Sequence, residues 1–210
     1  MTEWRVHIEN LLNNRLPGEL SHRKMLPPER DLYPAGTAGE VQPSGVLLLI
    51  CPDGDELYVC LIKRSATMKI HAGQIGFPGG RQEEGDTGPG ATALRETTEE
   101  IGLPSENIRI LGKLTPLYVS VSNFMIYPYV GWTSGLPGFP LNHREVEKVL
   151  FFPLLAHLAR PTVEFREMET VSGLLNVLGI PFQEEFIWGA TAMILSEFMD
   201  IISAGQPTQE

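Results

Sequence analysis

The segment that most constrains this chain is a glycine-rich, acidic loop, Gly79-Gly80-Arg81-Gln82-Glu83-Glu84-Gly85-Asp86-Thr87-Gly88, which runs straight into Pro89-Gly90-Ala91-Thr92-Ala93-Leu94-Arg95-Glu96-Thr97-Thr98-Glu99-Glu100-Ile101. Pro89 suits a first helical position and Gly102 suits the stop just past the end, so both helix boundaries are marked. With an advance of ~100° per residue, Glu100 falls about 40° to one side of Glu96 and Glu99 about 60° to the other, while Leu94, Thr97 and Ile101 lie roughly 100–160° around. One face is therefore apolar and the opposite face carries three carboxylates. Arg95 stands four residues before Glu99, at ion-pair spacing, whereas Glu96 and Glu100 have no cation at helical spacing. Like charges at i and i+4 cost stability. A run of glutamates is ordinarily a solvated face; on this helix the pattern calls for something positive, and oxygen-only ligands favour Mg²⁺ or Mn²⁺ over zinc.

The charge balance sharpens the point. Lys and Arg number 16 against 26 Asp and Glu, a formal net charge of −10 over 210 residues. So acidic a chain is poorly matched to nucleic acid or to an anionic membrane surface. A phosphorylated ligand would then need local cations or bound metal. Seven carboxylates crowd residues 83–106, and Lys63, Arg64 and Lys69 form a compact cationic stretch upstream. Arg64 suits bidentate phosphate contact, and Lys63 and Lys69 suit point-charge contacts. His71 and Gln74 are equally suited to bonding a ligand or to ordering the loop.

Organisation along the chain follows from periodicity and punctuation. Trp4, Ile8, Leu11, Leu12 and Leu16 share a helical face over residues 3–16, and prolines at 17, 27, 28, 34 and 43 mark an irregular wrapping segment. Val46–Cys51 and Leu57–Lys63 read as strands joined by a Pro52-Asp53-Gly54-Asp55-Glu56 turn. Further strands are expected at Ile108–Leu114, Met125–Trp132 and Lys148–Pro153, and further helices at Leu154–Ala159 and Thr191–Ile202. Hairpins mixed with helices imply an α+β class, an α/β/α sandwich with a mixed sheet between helices. The expected layout is an N-terminal helix and wrapping segment at 1–43, a main domain at 44–203 and a tail at 204–210. Cys51 and Cys60, both inside apolar runs, read as core residues of a reducing compartment. With no leader-like N-terminus and no long apolar span, a cytoplasmic location is expected.

The stretch Gly80-x5-Asp86-x8-Arg95-Glu96-x-x-Glu99-Glu100-x-Gly102-Leu103 resembles the Nudix box, the signature of hydrolases that cut nucleoside diphosphates linked to another moiety. Asp86 stands where the general box has Glu, with one extra residue before the arginine, and Thr97 replaces an aliphatic residue. Upstream, Lys63-Arg64-Ser65 leading to His71-Ala72-Gly73-Gln74-Ile75-Gly76-Phe77-Pro78-Gly79-Gly80 is similar to the motif that marks the coenzyme A pyrophosphatase branch of that family. Weaker likeness runs from about Val46 to Ile202 and lapses over Arg160–Gly179.

The resemblance implies a Nudix fold and metal-dependent hydrolysis of coenzyme A or its derivatives to 3′,5′-ADP and 4′-phosphopantetheine or its acyl form. It implies Glu96, Glu100, Glu99 and the Gly79 carbonyl as metal ligands and Arg95 as the partner of Glu99. Substrate contacts are implied for Lys63, Arg64, Ser65, Lys69, His71 and Gln74. For the general base, Glu145 in Asn142-His143-Arg144-Glu145-Val146 and Glu99 both stand, and Glu145 reads equally as a loop cap or a partner of Arg144. Two other readings remain open: an ADP-ribose or nucleoside-diphosphate-sugar pyrophosphatase, and a non-catalytic nucleotide-sensing module, which the three intact box carboxylates disfavour. The expected partner is a small molecule, with neither nucleic acid nor membrane, and the residue pattern leaves a homodimer open.

Overall fold

Alternating apolar runs with a tight turn between them organise the molecule around one central sheet. The computed structural model describes residues 2–27, 32, 40–67, 72–136, 138, 140–170 and 173–205. Helix α1 (Thr2–Leu12) is followed by a short helix α2 (Glu19–His22), then by β1 (Gln42–Asp53) and β2 (Glu56–Arg64), which form an antiparallel hairpin. Two short strands, β3 (Ile75–Gly76) and β4 (Gly79–Arg81), lead into α3 (Pro89–Ile101). Next come β5 (Arg109–Lys113), β6 (Leu117–Val119), β7 (Phe124–Trp132), β8 (Val146–Pro153) and α4 (Leu154–Ala159). A hairpin of β9 (Glu164–Thr170) and β10 (Gly173–Phe182), then β11 (Glu185–Trp188) and α5 (Gly189–Gly205), complete the described chain.

The main sheet runs β3-β2-β1-β7-β5, with β4 on β1, β6 on β7 and β8 on β2. It is mixed, because β1 and β7 are parallel while the other pairs are antiparallel. Strands β9, β10 and β11 form a second, antiparallel sheet. The period-2 alternation of β1 divides the core. Leu48 and Ile50 pack with Leu195, Phe198 and Ile202 of α5 and Ile8 of α1. Leu47, Leu49 and Cys51 pack on the other face with Ala93 and Ile101 of α3. The arrangement is a sandwich of helices around a mixed sheet, as the pattern implied.

Helix α3 begins and ends where the sequence marks it. It lies so close to β1 that a Cβ on Gly45 would stand 1.9 Å from the Pro89 carbonyl oxygen. At its end Gly102 adopts a left-handed conformation (φ 68°) and returns its N–H to the Thr98 carbonyl at 3.0 Å. Both cysteines are buried and free. Two expectations shift: helix α1 stops at Leu12 rather than running to Leu16, and the last helix starts two residues before Thr191 and extends to Gly205. The stretch after Arg160, where the residue pattern marks no element, forms β9 and most of β10. Among the described residues, no helix is long and apolar enough to cross a membrane.

The segment after α1 is held to α5 by a buried acid. Glu197, fully buried, accepts from the Thr115 hydroxyl at 2.6 Å and from the Gly18 N–H at 3.2 Å, and lies 3.0 Å from His22 Nε2. Around it Ser21 bonds to Asp200, which also pairs with Lys24 at 2.6 Å. Removing a carboxylate that satisfies several buried donors leaves them unpaired. Glu197→Ala is therefore expected to cost about 3 kcal/mol, read by urea unfolding; a change within error would show that these donors find other partners.

Candidate active site

The acidic face of α3 is built against the glycine turn that precedes it. A Cβ on Gly80 would stand 2.4 Å from Glu96 Oε1, so only glycine leaves room for this carboxylate. Gly79 is held at φ 151°, where a Cβ would stand 2.4 Å from the Gly45 carbonyl oxygen, and its N–H donates to Glu100 Oε2 at 2.9 Å. The paired glycines thus let β4 pass directly beneath the carboxylates.

Strand alternation separates the neighbouring cations. Leu57, Val59 and Leu61 of β2 pack on the α5 side, while Cys60 and Ile62 pack on the α3 side. Arg64 follows the α3 side: its Nη1 lies 3.5 Å from Glu100 Oε1, and its Nε is buried with no hydrogen-bond partner among the described residues. Lys63 faces the other way, its Nζ 3.0 Å from Glu185 and 3.2 Å from Glu147. These carboxylates, Glu185 foremost, raise its pKa.

Just beyond β2, the Ser65 N–H donates to the Glu145 carbonyl at 2.8 Å, and the Ser65 hydroxyl lies 2.8 Å from that of Thr67. The Gln74 carbonyl accepts from the Arg64 N–H at 3.0 Å. Lys69 and His71 lie outside the described residues.

Glu145 is the residue whose place could not be read from helix geometry. The loop before β8 is tied to the end of α3, where the Asn142 N–H donates to the Glu100 carbonyl at 3.0 Å, and both Glu145 and Val146 N–H groups return to the Asn142 carbonyl. Glu145 thereby joins Glu96 and Glu100, with one carboxylate oxygen from each lying within 4.8 Å of the others. Glu99 stays outside this group, with its side chain 54% exposed.

Burial of this cluster has an electrostatic consequence. Glu100 is 1% exposed, and burial pushes its pKa up to about 8, against the opposing pull of the Gly79 N–H and Arg64 and with further repulsion from Glu96 and Glu145. Glu96 is raised too, by burial first, with Arg95 opposing. Three crowded carboxylates in such a setting suit a hard divalent cation, which removes the repulsion that burial magnifies. Among the described residues, Glu96, Glu100 and Glu145 form an acidic group close enough to hold it.

Arg95 organises the outer edge. It binds Asp86 at 3.1 Å, Glu96 at 3.0 Å, Glu99 at 3.1 Å and the Arg81 carbonyl at 3.2 Å. Glu96 therefore has a cationic neighbour that the i,i+4 rule did not foresee. Asp86, whose role the sequence left undefined, also accepts from the Thr92 hydroxyl and the Glu83 N–H. Arg95 above all, with these donors, holds the Asp86 carboxyl well below the usual range. Asp86 stands three residues before α3, outside the helical repeat, so no helical spacing rule records this pairing.

A mixed-sheet sandwich whose glycine turn passes beneath one buried and two half-buried carboxylates is an architecture suited to a divalent-cation site. The NUDIX domain model matches residues 41–170, and the chain belongs to the Nudix family of hydrolases. Among its relatives is a protein named "Uncharacterized Nudix hydrolase NudL" from Pectobacterium atrosepticum, 37% identical over 137 residues, 65% of this chain and 71% of that one. The protein of the same name from Photorhabdus laumondii is 35% identical over 154 residues, covering 72% and 80%. Two solved structures share the fold. A MutT/nudix family protein from Enterococcus faecalis has a TM-score of 0.56 at 16% identity, covering 97% of this chain and 74% of its own. RenU, a Nudix hydrolase from M. smegmatis, has a TM-score of 0.53 at 14% identity, covering 81% and 90%.

Two outcomes follow from this geometry. Gly80→Ala is expected to push the Glu96 carboxylate aside and weaken Mn²⁺ binding about tenfold, with little change in melting temperature; calorimetric titration of Mn²⁺ checks it. A folded-state carboxyl pKa below its unfolded value contributes stability above about pH 4 that fades as pH falls below it. The melting-temperature deficit of Asp86→Asn should accordingly be full at pH 6 and shrink toward pH 3, as thermal unfolding across that range would show.

Proposed function

We propose that this protein hydrolyses the diphosphate bond of coenzyme A or a derivative, giving 3′,5′-ADP and 4′-phosphopantetheine or its acyl form. The observation that carries the reading is the position of Arg64. It belongs to the upstream stretch that resembles the coenzyme A pyrophosphatase motif, yet it reaches Glu100 of the box at 3.5 Å, with its buried Nε still lacking a described partner. The two motifs thus meet in one site.

Glu96 and Glu100, with Glu145 beside them, would hold Mg²⁺ or Mn²⁺, which would neutralise phosphate oxygens and acidify bound water. Arg64 has a guanidinium edge available to a phosphate oxygen of the diphosphate. Arg95, held by Asp86, steadies Glu96 and keeps Glu99 at the rim. Glu145 is the base assigned to the attacking water, because its carboxylate stands within the acidic group while Glu99 is exposed and paired with Arg95. Water adds its oxygen to one phosphorus, the bridging P–O bond breaks, and the other phosphate leaves with the bridging oxygen. Ser65 orders the loop through Glu145, and Gln74 orders it through Arg64. Lys69 and His71 keep their proposed substrate contacts, whereas Lys63 is engaged elsewhere. Residues 44–203 would form the catalytic domain, with 1–43 and 204–210 as its flanks.

The direct test incubates the protein with coenzyme A and Mg²⁺ or Mn²⁺ and identifies products by chromatography. Appearance of 3′,5′-ADP is expected. No coenzyme A turnover, with ribose 5-phosphate released from ADP-ribose instead, would replace the substrate assignment. Glu100→Gln removes a charge that burial already disfavours, so it should abolish turnover while leaving the melting temperature within a few degrees or above wild type; full turnover would refute the carboxylate site.

A further inference from the structure

We infer that Glu185, at the start of β11 and far from the box in sequence, is a positioning residue for the carboxylate site, acting through Lys63 and a bulge in β8. The inference rests on the metal-dependent reading above. It begins with strand parity. Along β8, Leu150 and Phe152 pack on the α5 side and Val149 and Phe151 on the α3 side. Strict alternation would send Val146 to the α5 side, yet it is fully buried in the α3-side core. The register explains this: Lys63 pairs with Lys148, but Arg64 pairs with Val146, so Glu147 is an extra residue on β8. A bulge of this kind re-aims the residue beyond it, here Val146, which it seats in the α3-side core opposite Arg64. Glu145, in the turn just before β8, is tied through its carbonyl to the Ser65 N–H at 2.8 Å and reaches Glu96 and Glu100.

The bulge is gripped from the opposite face. Lys63 Nζ lies 3.2 Å from the bulged Glu147 and 3.0 Å from Glu185, and Lys148 lies 2.8 Å from Glu185. Glu185 is only 12% exposed. Burial pushes its pKa up, but Lys148 and Lys63 outweigh it and hold the carboxyl below its ordinary value. A partly buried network of two ammonium groups and two carboxylates loses less side-chain entropy per contact than an isolated surface pair. It fixes three strands at one point: β2 at the residue before Arg64, β8 at the bulge, and β11 of the second sheet. Lys63 on this reading clamps the site from behind instead of touching substrate.

The test measures Mn²⁺ affinity, melting temperature and steady-state kinetics for Glu185→Gln, Lys63→Met, Lys63→Arg and the Glu185→Gln/Lys63→Met double variant. Loss of an outer support characteristically costs a metal site about 10- to 100-fold. Glu185→Gln and Lys63→Met should each weaken Mn²⁺ binding and lower kcat by about tenfold with KM little changed. The double variant should fall no further than the worse single one, because both break the same link, and Lys63→Arg should recover most of the loss. Should Lys63→Met fail to fold, Glu185→Gln decides alone. A rise in KM with kcat intact in Lys63→Met would make Lys63 a substrate contact and overturn the inference. So would additive losses, or a lower melting temperature with wild-type Mn²⁺ affinity and kcat. Mn²⁺ affinity is read without substrate, so a wild-type protein that binds Mn²⁺ but leaves coenzyme A intact removes only the substrate assignment. A wild-type protein that binds no Mn²⁺ overturns the metal site and this inference with it.

Discussion

Glu100 sets the terms for the rest of the site. A carboxylate that is 1% exposed and crowded by Glu96 and Glu145 is costly to keep charged, and burial accordingly pushes its pKa up to about 8. The neighbouring structure bears on this one group. Gly79 supplies an N–H, Arg64 a guanidinium, and the Asn142 N–H caps the carbonyl of the same residue. Either a proton on Glu100 or a divalent cation relieves the remaining repulsion, and the cation does so with the carboxylates still charged. An acidic protein that handles an anionic ligand is physically consistent once that cation is included.

The support for this centre is spread over both faces of the main sheet. On the α3 face, Asp86 and Arg95 fix the outer carboxylates, and the absence of a Cβ at Gly80 leaves space for Glu96. On the α5 face, Lys63, Glu147, Glu185 and Lys148 hold the bulge that seats Val146, the residue next to Glu145. The second sheet, which carries no box residue, thereby becomes part of the site's frame. The N-terminal segment is anchored separately, through the buried Glu197, and does not share this network.

Much of this was legible beforehand where the physics is local. The limits of α3 follow from Pro89 and Gly102, and the Arg95–Glu99 pair from four-residue spacing. Strands β1, β2 and β7 are marked by apolar runs, with ends within a few residues of those observed. The β9–β10 hairpin escaped because its exposed positions mix Phe165 and Leu174 with Glu167 and Glu169, leaving no clean alternation to read. The carboxylate group was foreseen in part: Glu96 and Glu100 share a helix face, but Glu145 belongs to a distant loop, and Glu99 sits at the exposed rim, sharing Arg95 with Glu96.

The sequence by itself determined helix α3, its acidic face, the mixed-sheet class and the family, because capping, periodicity and motif spacing act over a few residues. The tertiary structure alone decided which carboxylates converge and which cation faces them. Arg64 meets Glu100 across 36 positions, Asp86 meets Arg95 from outside the helix, and Lys63 turns to the far face. The reason is that these contacts join residues of separate elements. One extra residue at Glu147 moves Val146 to the α3 side opposite Arg64, the turn before it brings Glu145 to Glu96 and Glu100, and no local pattern records either placement.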